Sequence, residues 1–321
     1  MLFVKTRDVL FACSLVLVSP WAAAQNWPAK PIRLVVPYPP GGSNDQLARY
    51  IGAKLQETWG QPVVIDNKPG ANSIIGNDFV AKSPADGYTL LINSVGGMAI
   101  NPLLYPTLPY NPSTGFTPVG IAAIAPIVIG INASLPANSL REFVAYAKAN
   151  PGKLNNSAGS TISSVAAEVF KQMADIRMTS IPYKGSAPSV AAVLAGETQM
   201  VIVDAAAIFT QIRAGKIKGL AVAGPTRLPA LPDVPTVDEA GMPAYKMDAW
   251  VALFAPAGTP AAVVNKISSE VAAIMQRADA RDKLGSALIP VGSTPEELSH
   301  ALNSDLARYA PLIKSLNMKA D

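Results

Sequence analysis

The feature that most constrains this chain is how its apolar, β-branched runs end. Almost every one passes straight into a small, polar or Gly-rich turn that opens a helical pattern. Run 32–38 ends in Pro39-Pro40-Gly41-Gly42-Ser43-Asn44-Asp45, and run 88–92 ends in Asn93-Ser94-Val95-Gly96-Gly97. The same grammar returns at Asn156-Ser157-Ala158-Gly159-Ser160-Thr161, at Tyr183-Lys184-Gly185-Ser186 and, after run 200–203, at Asp204. Strands alternating with helices in this way argue for an α/β fold, with parallel sheets and helices packed on their faces. Ligands of such sheets bind outside the carboxyl ends of the strands, so function is expected at these turns.

Helix starts are expected at Ser43-Asn44-Asp45-Gln46, Ser139-Leu140-Arg141-Glu142, Thr236-Val237-Asp238-Glu239 and Thr294-Pro295-Glu296-Glu297. Each fits the capping box, in which a hydroxyl and a carboxylate or amide satisfy each other's backbone donors. Thr259-Pro260 adds another, with proline at the first helical position. Leu47, Ile51 and Leu55 give the first helix one buried stripe. Strands are expected over 33–36, 63–65, 89–92, 119–131, 178–181, 200–203, 220–223 and 250–254. Run 121–131 is long and apolar, too short to span a membrane, and interrupted by Pro126. A strand leaving one domain for another reads this way. With a second crossing near 246–255, the chain divides into a discontinuous lobe of 25–125 and 249–321 and an inserted lobe of 126–248.

Half of the 321 residues are hydrophobic and 15% are charged, which suits a globular chain and excludes a disordered one. A dispersed net charge of +4, with no basic stripe, gives no reason to expect nucleic acid. The first 24 residues read as a secretory signal peptide: Lys5 and Arg7, an apolar stretch over 9–18, then Ala22-Ala23-Ala24 before Gln25. Cleavage after Ala24 would remove Cys13, the chain's only cysteine, so the mature protein would rely on core burial without disulfides. A soluble periplasmic protein is the expectation.

Catalytic motifs are missing: the chain has no G-x-S-x-G, G-x-x-x-x-G-K-[ST], H-E-x-x-H or G-x-G-x-x-G. Its only histidine, His300, falls off the apolar stripe of Leu298, Leu302, Leu306, Tyr309 and Ile313. No enzyme, cofactor or metal is expected, since zinc and copper sites favour nitrogen and sulfur ligands. The turns do offer anion binding, because a helix N-terminus presents unpaired N–H groups and a positive dipole end without any arginine. Asp204, the charged side chain ending an apolar strand, reads either as a helix cap or as a contact to an amine, hydroxyl or bridging water. Tyr38 and Tyr183 read equally as core or as cover for a ligand.

Seven motifs carry a family resemblance. The stretch from Pro31-Ile32-Arg33-Leu34-Val35-Val36-Pro37 through Tyr38 to Asp45 resembles the opening motif of the Bug family, periplasmic receptors of tripartite tricarboxylate transporters. Asp66-Asn67-Lys68-Pro69-Gly70-Ala71, Asp86-Gly87-Tyr88-Thr89-Leu90-Leu91 and Asn101-Pro102-Leu103-Leu104-Tyr105 are similar to further family motifs, in family order. Ile181-Pro182-Tyr183-Lys184-Gly185, Pro232-Asp233-Val234-Pro235-Thr236 with Glu239-Ala240-Gly241, and Ala255-Pro256-Ala257-Gly258-Thr259-Pro260 complete the set.

The resemblance implies a type II periplasmic binding protein, two α/β lobes joined by two crossing strands and closing on a small organic acid. It places the ligand between loop 39–45 and a facing loop 157–164, held by backbone amides and ordered waters. The implied ligand-binding set is Tyr38, Gly41, Gly42, Ser43, Asn44, Asp45, Ser94, Ser157, Gly159, Ser160, Thr161, Ser164, Tyr183 and Asp204. Family members often carry histidine where this chain has Met98 and Ser164, so its distal contacts are expected to differ. The implied partners of the expected monomer are membrane permease subunits; the alternative is a receptor of the same fold that signals to a sensor kinase.

Overall fold

The computed structural model describes residues 27–319 apart from Pro225, Lys246 and 285–287. The expected signal peptide and Cys13 lie outside the described residues. In chain order the strands are β1 (Ile32–Val36), β2 (Val63–Asn67), β3 (Thr89–Ser94), β4 (Phe116–Asn132), β5 (Leu154–Ala158), β6 (Met178–Pro182), β7 (Met200–Asp204), β8 (Ile217–Ala223), β9 (Asp248–Pro256) and β10 (Ile289–Pro290). The helices are α1 (Ser43–Trp59), α2 (Ile74–Ala81), α3 (Asn101–Leu104), α4 (Leu140–Ala149), α5 (Thr161–Ala174), α6 (Ser186–Ala195), α7 (Ala205–Arg213), α8 (Ala261–Met275), α9 (Ala278–Leu284) and α10 (Pro295–Ser315).

The strands join in the order β2-β1-β3-β9-β4-β7-β5-β6, with β8 and β10 also on β4. The parallel pairing expected from the alternation is found within each half, β1 with β2 and β3, and β5 with β6 and β7. Where the chain crosses, pairing is antiparallel, β9 with β3 and β4, and β4 with β7 and β8. Strands arriving from the other half need no helical crossover, so nothing forces them parallel. β4 changes partners at one point: Pro126 pairs with Asp248 of β9, and Ile127 pairs with Asp204 of β7 and Ala223 of β8. Proline lacks an N–H, so the ladder changes where a donor is missing anyway. The result is the two-lobed α/β fold of a type II periplasmic binding protein, with β4 paired in both halves.

Leu47, Ile51 and Leu55 are fully buried, and α1 packs them on β1 and β3 through Leu34 and Leu90. The second lobe buries Val201, Val203, Ile208 and Val222 around Val128 of β4. A third cluster joins the lobes, with Met98, Tyr110 and Phe116 in one core with Phe143, Phe170 and Tyr245. Helix α10 seals it with Leu298, Leu302, Tyr309 and Ile313, and Trp250 Nε1 donates to Asp305 Oδ2 at 2.7 Å. His300 is exposed.

Among the expected helix starts, Thr294 and Glu297 form a complete capping box. Ser139 caps α4, but Glu142 reaches back one residue further, to the N–H of Asn138. Thr236 and Glu239 form both reciprocal bonds yet open only a turn, because Gly241, at φ 88°, and Pro243 end it. Ser43 lies inside α1 rather than capping it; Gly42 is the N-cap, and the Asp45 carboxylate is used elsewhere. Pro260 occupies the N-cap position of α8, one residue before the helix.

Candidate functional site

The carboxyl ends of β1, β3, β5 and β7 and the first turns of α1, α5 and α6 converge on a cavity of about 50 Å³ between the lobes. That is room for a few waters or a small polar head group. Of the expected residues, Tyr38, Gly42, Ser43, Asn44, Asp45, Ser94, Gly159, Ser160 and Asp204 line it. Gly185, Ser186, Ala187, Ser163 and the apolar Ala125, Ile127, Ile162 and Ala249 also line it, together with Pro39 and Pro40. Among the described lining residues there is no lysine, arginine or histidine.

Asp45 holds the first loop in shape. Its Oδ2 accepts from the Gly41 N–H at 3.1 Å and from Arg49 Nε at 3.0 Å, and its Oδ1 accepts from Arg49 Nη2 and Asn67 Nδ2, each at 3.0 Å. Burial pushes this carboxyl up, but Arg49, Asn67 and the Gly41 amide outweigh it and hold the group below its ordinary range. The Gly41 N–H is therefore spent on the turn, which needs glycine there because φ is 98°. The next first-turn amides of α1, at Ser43 and Asn44, have no intrahelical acceptor, and both residues line the cavity. Tyr38 Oη donates to Asn93 Oδ1 at 3.1 Å; burial pushes its phenol up, and Ser94 and Ser73 partly offset that.

On the other wall, Ser160 caps α5 by accepting from the Ser163 N–H, and Gly159 lies against the Gly185 carbonyl with no room for a Cβ. Asp204 Oδ2 accepts from Ser186 Oγ at 2.9 Å, while Oδ1 is buried without a partner. Asp204 sits at the N-cap position of α7, but its side chain makes no capping bond. Burial pushes its carboxyl up; Ser186 and the amides of Ala207 and Ser43, which face it without completing a hydrogen bond, offset part of that.

The remaining expected residues fall elsewhere. Ser157 Oγ donates to the Ser189 carbonyl inside the second lobe, and Ser164 Oγ donates to the Ser160 carbonyl along α5. Thr161 Oγ1 donates to Asn101 Oδ1 at 2.8 Å, both buried, and so bridges the lobes. Tyr183 points away from the cleft, its hydroxyl on Glu197. Met98 is fully buried in the core beside Asn77. Sequence reasoning chose Tyr183 from the turn Tyr183-Lys184-Gly185-Ser186, although the glycine followed by a helix start pointed to Gly185 and Ser186.

A family model described as tripartite tricarboxylate transporter family receptor matches residues 47–318. A Pseudomonas sp. (strain P51) protein from the tcbD-tcbE intergenic region is 35% identical, covering 98% of this chain and 96% of that one. Protein BugT of Bordetella pertussis is 34% identical over 92% of both chains. Among solved structures, an R. palustris protein with adipate is 36% identical with a TM-score of 0.87, covering 91% of this chain and 99% of that one. MatC from Rhodopseudomonas palustris with bound malate is 29% identical with a TM-score of 0.83, covering 89% and 100%. Such proteins are receptors rather than enzymes, in keeping with a cleft walled by amides, hydroxyls and small side chains. This chain belongs to the tripartite tricarboxylate transporter receptor family, within its Bug group of periplasmic solute receptors.

Proposed function

We propose that this chain is an exported receptor that closes its two lobes on a small organic acid and delivers it to the permease of a tripartite transporter. The observation that carries this reading is the cleft itself, where helix N-termini converge and no lysine, arginine or histidine stands among the described lining residues. A carboxylate fits there against the Ser43 and Asn44 amides, its charge met by the dipole of the 17-residue α1. Adipate and malate in the solved relatives support a carboxylate as the ligand class. We assign the lobes as 25–125 with 249–321, and 126–248, a division supported by the change of β4 partners between Pro126 and Ile127. Export with cleavage after Ala24 completes the reading.

The test is a thermal-shift screen of the mature protein against aliphatic mono-, di- and hydroxycarboxylates. A ligand at a hundredfold excess over Kd should stabilise the fold by about 2.7 kcal/mol. If amines or neutral sugars shift the melting temperature and no carboxylate does, the reading is wrong.

A further inference from the structure

Three consecutive non-glycine residues, Ala71, Asn72 and Ser73, have left-handed backbones, with φ of 44°, 49° and 78°. Asparagine visits that region readily. Alanine and serine do so at a cost, and a run of three persists only where its surroundings hold it. What holds this run is Asn101, at the start of α3: its Nδ2 donates to the Asn72 carbonyl at 2.6 Å and to Ser73 Oγ at 3.4 Å. Asn101 is fully buried and Ser73 nearly so.

Asn101 does not take up this orientation alone. An amide side chain has one accepting end and one donating end, and here the accepting end, Oδ1, takes the Thr161 hydroxyl at 2.8 Å. Thr161 opens α5, in the lobe assigned to 126–248, whereas Asn101 and loop 71–73 belong to the other lobe. The held loop faces two ways. Toward the cleft, Ser73 Oγ and the Asn93 amide crowd Gly97, which has no room for a Cβ, and Asn93 Oδ1 accepts from the cleft-lining Tyr38. Toward solvent, the exposed Asn72 donates from Nδ2 to Tyr105 Oη at 2.8 Å.

We infer that Asn101 is a positioning residue that carries lobe closure to loop 71–73: Thr161 fixes its amide only when the lobes meet, and the amide then holds the loop in its left-handed run. When the lobes part, Oδ1 loses its donor, the amide turns, and the loop relaxes. The strain therefore belongs to the closed form and works toward reopening, and the outer pair of Asn72 and Tyr105 changes with the state of the cleft. The inference rests on the two lobes proposed above and goes beyond them by naming the segment that moves with closure.

Hydrogen exchange and small-angle scattering on the ligand-free mature protein test it, so the outcome does not depend on whether a carboxylate binds. Thr161→Val should enlarge the molecule and speed exchange of the amides over 71–78 by about tenfold while β6 exchanges as before, and Thr161→Ser, which keeps the hydroxyl, should restore both. Ala71→Gly removes strain without removing a hydrogen bond, so it should slow the same exchange by about threefold; glycine in a loop that is merely slack would speed it. Should Thr161→Val fail to fold, the Ala71→Gly arm decides alone. A Thr161→Val variant that expands while 71–78 exchanges as in the parent overturns the inference and leaves the lobes standing. So does faster exchange in Ala71→Gly, or a gain in exchange spread evenly over the molecule. A Thr161→Val variant that keeps the parent's radius of gyration overturns both the inference and the closure on which it rests.

Discussion

Two aspartates lie a few side chains apart in this cleft and have opposite surroundings. Asp45 is ringed by donors, whereas Asp204 has one hydroxyl and an empty oxygen. Asp45 therefore positions the loop, and Asp45→Asn, which loses the Arg49 ion pair, should weaken every ligand by a similar factor, about tenfold, without changing their ranking. Calorimetry with one strong and one weak ligand checks this; a changed ranking would make Asp45 a ligand contact. The two carboxyls also link stability to pH with opposite signs. The Asp45 carboxyl titrates below its ordinary value in the fold, so its contribution is present above the unfolded value of 3.8 and fades as pH falls through its depressed folded value. The Asp204 carboxyl titrates above its ordinary value, so its contribution is full below 3.8 and is lost as pH rises through its raised folded value. At neutral pH, ligand-free Asp204→Asn should accordingly melt a few degrees higher than the parent, on a scale of about 2–4 °C per kcal/mol for chains of this size class. A lower melting temperature would show that the carboxylate supports the fold. In the sequence Asp204 stood out, as a charge ending an apolar strand. Asp45 was placed correctly on the loop, but its role depends on whether the carboxylate turns toward the ligand or back toward Arg49 and Asn67, and that is a tertiary fact.

The cleft-lining loops differ in how much space the fold leaves them, and two glycines show it. A Cβ at Gly159 would collide with the Gly185 carbonyl and lie 2.6 Å from Ser189 Oγ, whereas one at Gly42, where φ is −86°, meets nothing within 4 Å. Gly159→Ala should destabilise the protein by about 1–3 kcal/mol through overpacking, and Gly42→Ala should leave the melting temperature nearly unchanged. Equal effects in paired thermal melts would mean that the two loops are not packed as described. Strands with β-branched runs were legible from the alternation alone. β5 was not, because Leu154-Asn155-Asn156-Ser157-Ala158 looks like a turn. Partners for its polar side chains come only with folding, Ser180 Oγ to Asn156 Oδ1 at 2.8 Å and the Ser189 carbonyl to Ser157, while Asn156 Nδ2 stays buried without one. The antiparallel direction of β9 beside β3 and β4 was hidden, since it depends on where the chain arrives from and not on its local pattern.

At the scale of the whole molecule the lobes already touch, through Thr161 and Asn101 and through the core they share under α10. A ligand that spans both lobes stabilises the closed form in proportion to its differential affinity. Thr161→Val removes a donor and leaves Asn101 Oδ1 buried without it, so it should favour the open form and raise every Kd by a common factor of about tenfold. Small-angle scattering should show the variant larger than the parent without ligand and equal to it when saturated; identical radii of gyration in both states would argue against this contact as a brake on opening. The strand that serves both halves was legible as the long run broken by Pro126, while the shared core was not, because its members are spread from Val35 to Ile313. The position of β9 between β3 and β4 also sets a sequence of events in time. Strands β5 to β8 lie within residues 154–223, and all their neighbours except β4 lie there too. β3, by contrast, gains its second neighbour only when residues 248–256 join it. Pairings between distant segments form late because loop closure must come first. A refolding chain should therefore protect the amides of β5 and β7 from exchange before those of β3, so that the lobe finished last is the one that begins at the N-terminus.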